Sequence, residues 1–208
     1  MIAPDTWLPL FPLNAVLFPQ GVLPLKVFEA RYTDMVRDCM KAESPFGVVL
    51  IKSGAEVGAV AEPEDVGTLA HIREWDMESL GVLLLRIEGG ARFRIVETRV
   101  LGNKRLEARV EVLPHDGSPA ISDAHLACAR SLKIVMDEIN SKGRADQGDD
   151  FESPFAEPAR LDEAGWVANR WCEILPIPLK ARQKLMELDD AESRLSVVHQ
   201  YLVQHKIV

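Results

Sequence analysis

Between Leu8 and Val36 the chain reads LPLFPLNAVLFPQGVLPLKVFEARYTDMV, apolar enough for a core yet cut by Pro9, Pro12, Pro19 and Pro24. Proline has no backbone N–H and a fixed φ, so each one excludes a helix interior and a central ladder position. Leu10, Phe11, Leu13, Val16, Leu17, Phe18, Val22, Leu23 and Leu25 lie between them, too much apolar surface for a solvated linker. The pattern predicts short strands joined by tight corners, with Asn14 and Gln20-Gly21 as turn residues. From Phe28 the period changes. Glu29-Ala30-Arg31-Tyr32 opens a helix with Met35, Val36, Cys39 and Met40 on its apolar face. Phe46 to Lys52 then returns to strand, an order that suits a small β-barrel with an inserted helix.

Strand signals continue to Pro114. Thr68 to Trp75 alternates, after an acidic loop at Glu62-Pro63-Glu64-Asp65 and before a polar loop at Asp76-Met77-Glu78-Ser79. Val82–Glu88 and Arg92–Val100 read as a hairpin about a Gly89-Gly90 turn. Arg105 to Leu113 reads as the strand that closes the barrel. Beyond Pro114 the spacing becomes helical. Ser122 to Asn140 forms one helix with Ser122 as its N-cap, and Lys142 to Pro158 reads as a mobile connection. Asp162–Leu175, Leu179–Leu188 and a final helix opened by the box-like Asp189-x-x-Glu192 complete a helical second part. The predicted class is α+β, with a β domain over 1–117 and a helical domain over 118–208.

The chain carries 24 basic and 32 acidic residues, a net charge of −8, with −4 on each side of the Gly117–Ser118 junction. Neither half is a basic module, which disfavours polyanion binding as the main task. Cys39, Cys128 and Cys172 are scattered, odd in number and outside any C-x-x-C, as in a reducing compartment. They read as small buried hydrophobes. The start of the chain has no secretory pattern and no apolar run is long enough to span a bilayer, so the expected location is cytoplasmic, with no membrane partner.

Four separated motifs carry a family resemblance. LPLFPLNAVLFPQGVLPLKVFEARY from Leu8, VGTLAHI from Val66, GGARFRIVE from Gly89 and LPIPLKARQKLMELDDAESRL from Leu175 resemble, in order and spacing, the N-terminal domain of Lon proteases. The resemblance implies a PUA-like β pseudobarrel with an inserted helix, followed by a C-terminal helical bundle. It also implies a substrate-recognition role. No G-x-x-x-x-G-K-[ST] occurs, so the cradle that holds nucleotide phosphates is missing. The Ser–Lys dyad of Lon belongs to a domain beyond this likeness, and the expectation is a stand-alone, non-catalytic domain.

The residues suggest little chemistry of their own. His71, His115, His125, His199 and His205 form no H-E-x-x-H and no zinc spacing, and no G-x-S-x-G marks a nucleophile. Catalytic, metal and cofactor residues are therefore expected to be none. Glu29, Arg31 and Tyr32 offer a fork for a carboxylate and a stacking surface, though the same residues suit a pinned helix start. Arg92, Arg94, Arg99, Lys104, Arg105 and Arg109 concentrate charge, but Glu97, Glu107 and Glu111 interleave and no aromatic ladder accompanies them. Of Trp7, Trp75, Trp166 and Trp171, the last two suit a helical core and Trp75 best suits a ligand contact. The expected function is capture of polypeptide segments or a partner protein, with apolar side chains filling pockets and a strand edge supplying hydrogen bonds. Its candidate residues are Phe11, Phe18, Glu29, Arg31, Tyr32 and Trp75. An RNA or small-ligand binder on the barrel is the alternative, and a hydrolase assembled from distant residues a further rival.

Overall fold

Strand β1 (Leu8–Leu13) is apolar on both faces because each face meets a different core. The computed structural model describes residues 6–117 and 119–208, which fall into two compact units, Met1–His115 and Asp116–Val208. In the first unit Leu8 and Leu10 enter a core with Val49, Leu69, Phe93, Leu106 and Ala108. Phe11 and Leu13 enter a second core, packed with Met35, Val36 and Cys39 of helix α1 (Ala30–Lys41).

The sheet runs β2-β5-β4-β3-β1-β6, built from β2 (Val22–Val27), β3 (Phe46–Ser53), β4 (Glu62–Ser79), β5 (Val82–Val100) and β6 (Leu106–Val112). β5 also pairs with β6, so five strands close a ring and β2 is added outside it. The β1–β3 pair is parallel and the other pairs antiparallel. Two prolines inside β1 are accommodated by stagger. Pro9 lies where β1 has only β6 beside it and Pro12 where it has only β3, so each missing N–H can face an open side. Gln20, with φ of 59°, and Gly21 make the predicted corner. Gln20 N–H donates to the Gly89 carbonyl at 2.7 Å, and Gly89 N–H to the Gly21 carbonyl at 2.8 Å.

That docking corrects the expected Gly89-Gly90 turn. β5 runs unbroken through both glycines, and the hairpin turn lies at Gly81, where φ is 82°. Gly89 is small because any Cβ there would strike the Phe18 carbonyl. The acidic loop is likewise strand: β4 begins at Glu62, whose carboxylate meets Lys52 at 3.0 Å and the Ser53 hydroxyl at 2.8 Å. Asp76 to Ser79 continue the same strand.

In the second unit α3 (Ala164–Ile174) is buried from Ala164 to Cys172. α2 (Leu126–Gln147), α4 (Leu179–Glu187) and α5 (Ala191–Gln204) complete it. Trp171 donates from Nε1 to the Cys128 carbonyl at 3.0 Å, tying α3 to α2. Ser122 does not cap α2. A 3₁₀ turn at Asp123–His125 intervenes, and the Ser122 hydroxyl meets His125 Nδ1 instead. The expected connection after Lys142 is partly helix, since α2 reaches Gln147. Phe151 packs its ring where a Gly143 side chain would lie, and Ser153 donates to Asn140 at 2.9 Å. The last helix is capped by Asp190, one residue later than expected, through a 2.7 Å bond from Ser193 N–H.

Candidate functional site

Most of the aromatic and charged residues of the opening motif face inward. Phe18 is fully buried, and Phe11 stacks on Tyr32 with ring centroids 4.3 Å apart. Arg31 is buried over the Tyr32 ring, with Nη1 donating to the Lys104 carbonyl at 3.1 Å and Nη2 paired to Glu29 at 3.1 Å. Burial raises the Tyr32 hydroxyl above its ordinary value, so it stays protonated at neutral pH. This group holds the start of α1 against the barrel and commits both terminal nitrogens of the guanidinium to internal acceptors. Of the six candidates, only Trp75 is largely open, at 54%.

Trp75 stands on a three-stranded ribbon made by β2, the first half of β5 and the second half of β4. Register assigns its faces. Leu85 pairs with Trp75 and with Leu25, and Leu83 with Met77 and Val27. Ile87 pairs with Ile72 and Leu23. Directly paired residues share a face, so these side chains form one apolar surface. Its inner part, Leu85, Ile87 and Val27, belongs to the core under α1. Its outer part is open: Met77 is 53% exposed and Leu80, at the ribbon tip, 98%. The opposite face is polar apart from Leu84, with Lys26 and Glu78 paired across it at 2.5 Å.

Sequence reasoning finds Trp75 and misses Met77, because it reads Asp76 to Ser79 as a loop, and nothing local singles out Leu80 in the turn beyond it. The alternation in Glu74-Trp75-Asp76-Met77-Glu78 is the signal that marks a two-faced strand.

A separate cleft of about 740 Å³ opens beside the start of β1, lined among others by Trp7, Leu69, His71, Glu43 and Val112. Arg99 lies over the Trp7 ring at 4.1 Å. Burial lowers His71 below its ordinary value, aided by Arg73 and opposed by Glu88, so the imidazole is neutral at pH 7. In the second unit His125 meets the hydroxyls of Ser122 at 3.1 Å and Ser196 at 3.5 Å, and stacks edge-on with His199. No carboxylate orients this histidine in the hydrogen bonds described, and no group of three metal-ligating side chains occurs among the described residues.

Several of the expected basic residues are spent in pairs. Arg99 binds Glu107 at 2.6 Å, Arg105 binds Glu107 and Asp38 at 2.9 and 3.2 Å, and Arg109 lies 3.4 Å from Glu97. Their fields are largely cancelled locally. Trp166 and Trp171 are buried, as their spacing predicts. No helix among the described residues is long and apolar enough to cross a membrane.

Known proteins share this architecture along nearly the whole chain. A Lon N-terminal domain protein from Xanthomonas campestris is 33% identical, with a TM-score of 0.73, covering 94% of this chain and 98% of that one. The N-terminal domain of a Mycobacterium avium complex Lon protease superposes with a TM-score of 0.64 at 14% identity, covering 96% and 100%, and so shares the fold. Lon protease of Anaeromyxobacter dehalogenans is 26% identical over 201 residues, and Lon protease 2 of Myxococcus xanthus 27% over 200. Each alignment covers 94% of this chain but 23% of the relative, so the chain spans about a quarter of the length of these proteins. Residues 7–204 match the family of the ATP-dependent protease La (LON) substrate-binding domain, and the chain belongs to that family.

Proposed function

We propose that this protein is a polypeptide-recognition module on a PUA-like barrel, without ATPase or protease activity, serving protein quality control in the cytoplasm. The observation that carries this reading is the open apolar face of the ribbon. Trp75 and Met77 are large side chains more than half exposed on a regular strand, anchored beneath by the buried Leu85 and Ile87. Exposed apolar surface of this kind on an otherwise well-packed fold marks an interaction site. An aromatic anchor with a flexible thioether beside it suits varied apolar side chains, since methionine repacks at low cost. Membership of a family described as substrate-binding supports the same reading. The pairing of Arg99, Arg105 and Arg109 with carboxylates speaks against an RNA surface on β5 and β6.

The test is fluorescence anisotropy with a labelled, permanently unfolded polypeptide and its folded counterpart. Binding of the unfolded form alone, weakened about tenfold by Trp75→Ser with Met77→Ser, is expected. Equal affinity for both forms, or none for either, would reject the function.

A further inference from the structure

The ribbon has two edges, and they differ in kind. The outer edge of β2 carries Pro24, which cannot donate, and the exposed Lys26, two features that blunt an edge against pairing. The outer edge of β4 is different. β3 accompanies β4 only as far as the Phe46–Ala70 pair, and beyond it β5 is the only strand beside β4 among the described residues. Met77 N–H donates to its neighbour, the Asp76 carboxylate, at 2.7 Å. Gly89 turns its N–H and C=O toward the β2 side, and two-residue alternation along β5 does the same for Leu85 and Leu83, so their partners Trp75 and Met77 turn their N–H and C=O outward, away from β5.

The side chains along this edge separate by chemistry. Trp75 and Met77 share the apolar face, while Glu74 and Asp76 pair with Arg86 and Leu84 on the polar face. Glu78 joins them there through Lys26. Asp76 has no ion-pair partner among the described residues, and its carboxylate covers an edge donor.

We propose that the Trp75–Met77 edge of β4 takes up an extended polypeptide segment as an added strand, and that it selects segments alternating apolar with basic residues. The proposal rests on the polypeptide-binding reading above and names its substrate class. A segment in register places alternate side chains on the two faces. Those beside Trp75 and Met77 are apolar, and those beside Glu74 and Asp76 meet carboxylates. The incoming carbonyl replaces Asp76 as acceptor for Met77 N–H, which frees that carboxylate for the basic side chain. A second copy of this chain does not suit the edge, because self-pairing would bring its acidic residues together.

Fluorescein-labelled octapeptides of leucine and lysine test this directly, in alternating and block order, at fixed composition. A third version of the alternating peptide is N-methylated at every second backbone nitrogen, and a fourth alternates leucine with glutamate. Anisotropy should show the alternating leucine–lysine peptide binding about tenfold tighter than each of the other three. Asp76→Lys, on an exposed edge, should lose about tenfold for that peptide and gain for the leucine–glutamate one. Equal binding of the alternating, block and N-methylated peptides would overturn strand addition while leaving polypeptide capture standing. Binding of no peptide and no unfolded polypeptide would overturn both. Concentration-dependent dimerisation that Asp76→Lys abolishes would overturn the assignment in favour of self-pairing.

Discussion

Phe93 shows how single residues set the barrel. Its ring is fully buried, and Gly47 and Gly67 leave the space it fills. A Cβ at Gly67 would lie 2.6 Å from Phe93 Cζ and 2.5 Å from the Val48 carbonyl, which cannot yield without moving β3. Gly67→Ala should therefore cost about 1–3 kcal/mol, and Phe93→Ala about 3–5 kcal/mol, in urea unfolding. Burial also governs the thiols. Cys39, Cys128 and Cys172 are buried and free, and burial raises each above its ordinary value, Cys172 to about 12. At pH 7.5 a disulfide-exchange reagent should modify none of them in the folded protein and all three in denaturant. Glu173 behaves differently from a surface carboxylate. Burial lifts it from 4.5 to about 7, against Arg170, which lies 2.8 Å away, and Arg182. The folded chain thus keeps a proton that the unfolded chain has released between these values. The stability it contributes is complete below about pH 4.5 and lost as pH rises toward 7. Across that window the urea midpoint of the wild type should fall relative to Glu173→Gln. Parallel profiles would show that Glu173 is not the group that titrates.

Whole elements divide between those that sequence alone reveals and those that need partners. The proline-cut run reveals β1, the corner at Gln20-Gly21 and β2, because proline and glycine act locally. β6 and the start of α1 are legible for the same reason, in two-residue and helical spacing. The unity of β5 is not legible. Gly89 resembles a turn residue in isolation, and only the close approach of Phe18 and Gly21 explains it. The ribbon face was half legible: Trp75 stands out by type, while the pairing that gathers it with Leu85, Met77 and Leu25 is long-range. Caps are local but easily displaced by one residue. Asp189 and Asp190 precede the same helix, and the Ser193 bond distinguishes them. Asp190→Ala should destabilise the helical unit by about 1 kcal/mol, and Glu192→Ala, on the exposed side, by much less. Equal costs in denaturant melts would return the capping role to the box-like pattern.

At the scale of the molecule, the chain forms two compact units, and we propose that each folds alone. In the first, five strands close in a ring, so the ladder bonds of that ring are internal, and the ribbon carries open edges. The second depends on Arg194, which is almost fully buried. Its guanidinium donates to the carbonyls of Leu185 and Leu188, to Asn169 and to Asp116 at 2.6 Å. Three of those acceptors are neutral, so Asp116 is the countercharge. Removing one partner of a buried pair strands the other, at a cost of about 3–5 kcal/mol. The position of the cut therefore matters more than the two residues it moves. A fragment over residues 116–208 should fold cooperatively by far-UV circular dichroism. A fragment over 118–208, cut where the composition suggests, lacks Asp116 and should be less stable by that amount. Asp116→Asn in the full chain should reproduce most of the loss, and Arg194→Met with Asp116→Leu should recover part of it, since an apolar pair leaves no buried charge. Fragments of equal stability would mean that Asp116 contributes nothing to the helical unit and that its boundary lies further along the chain.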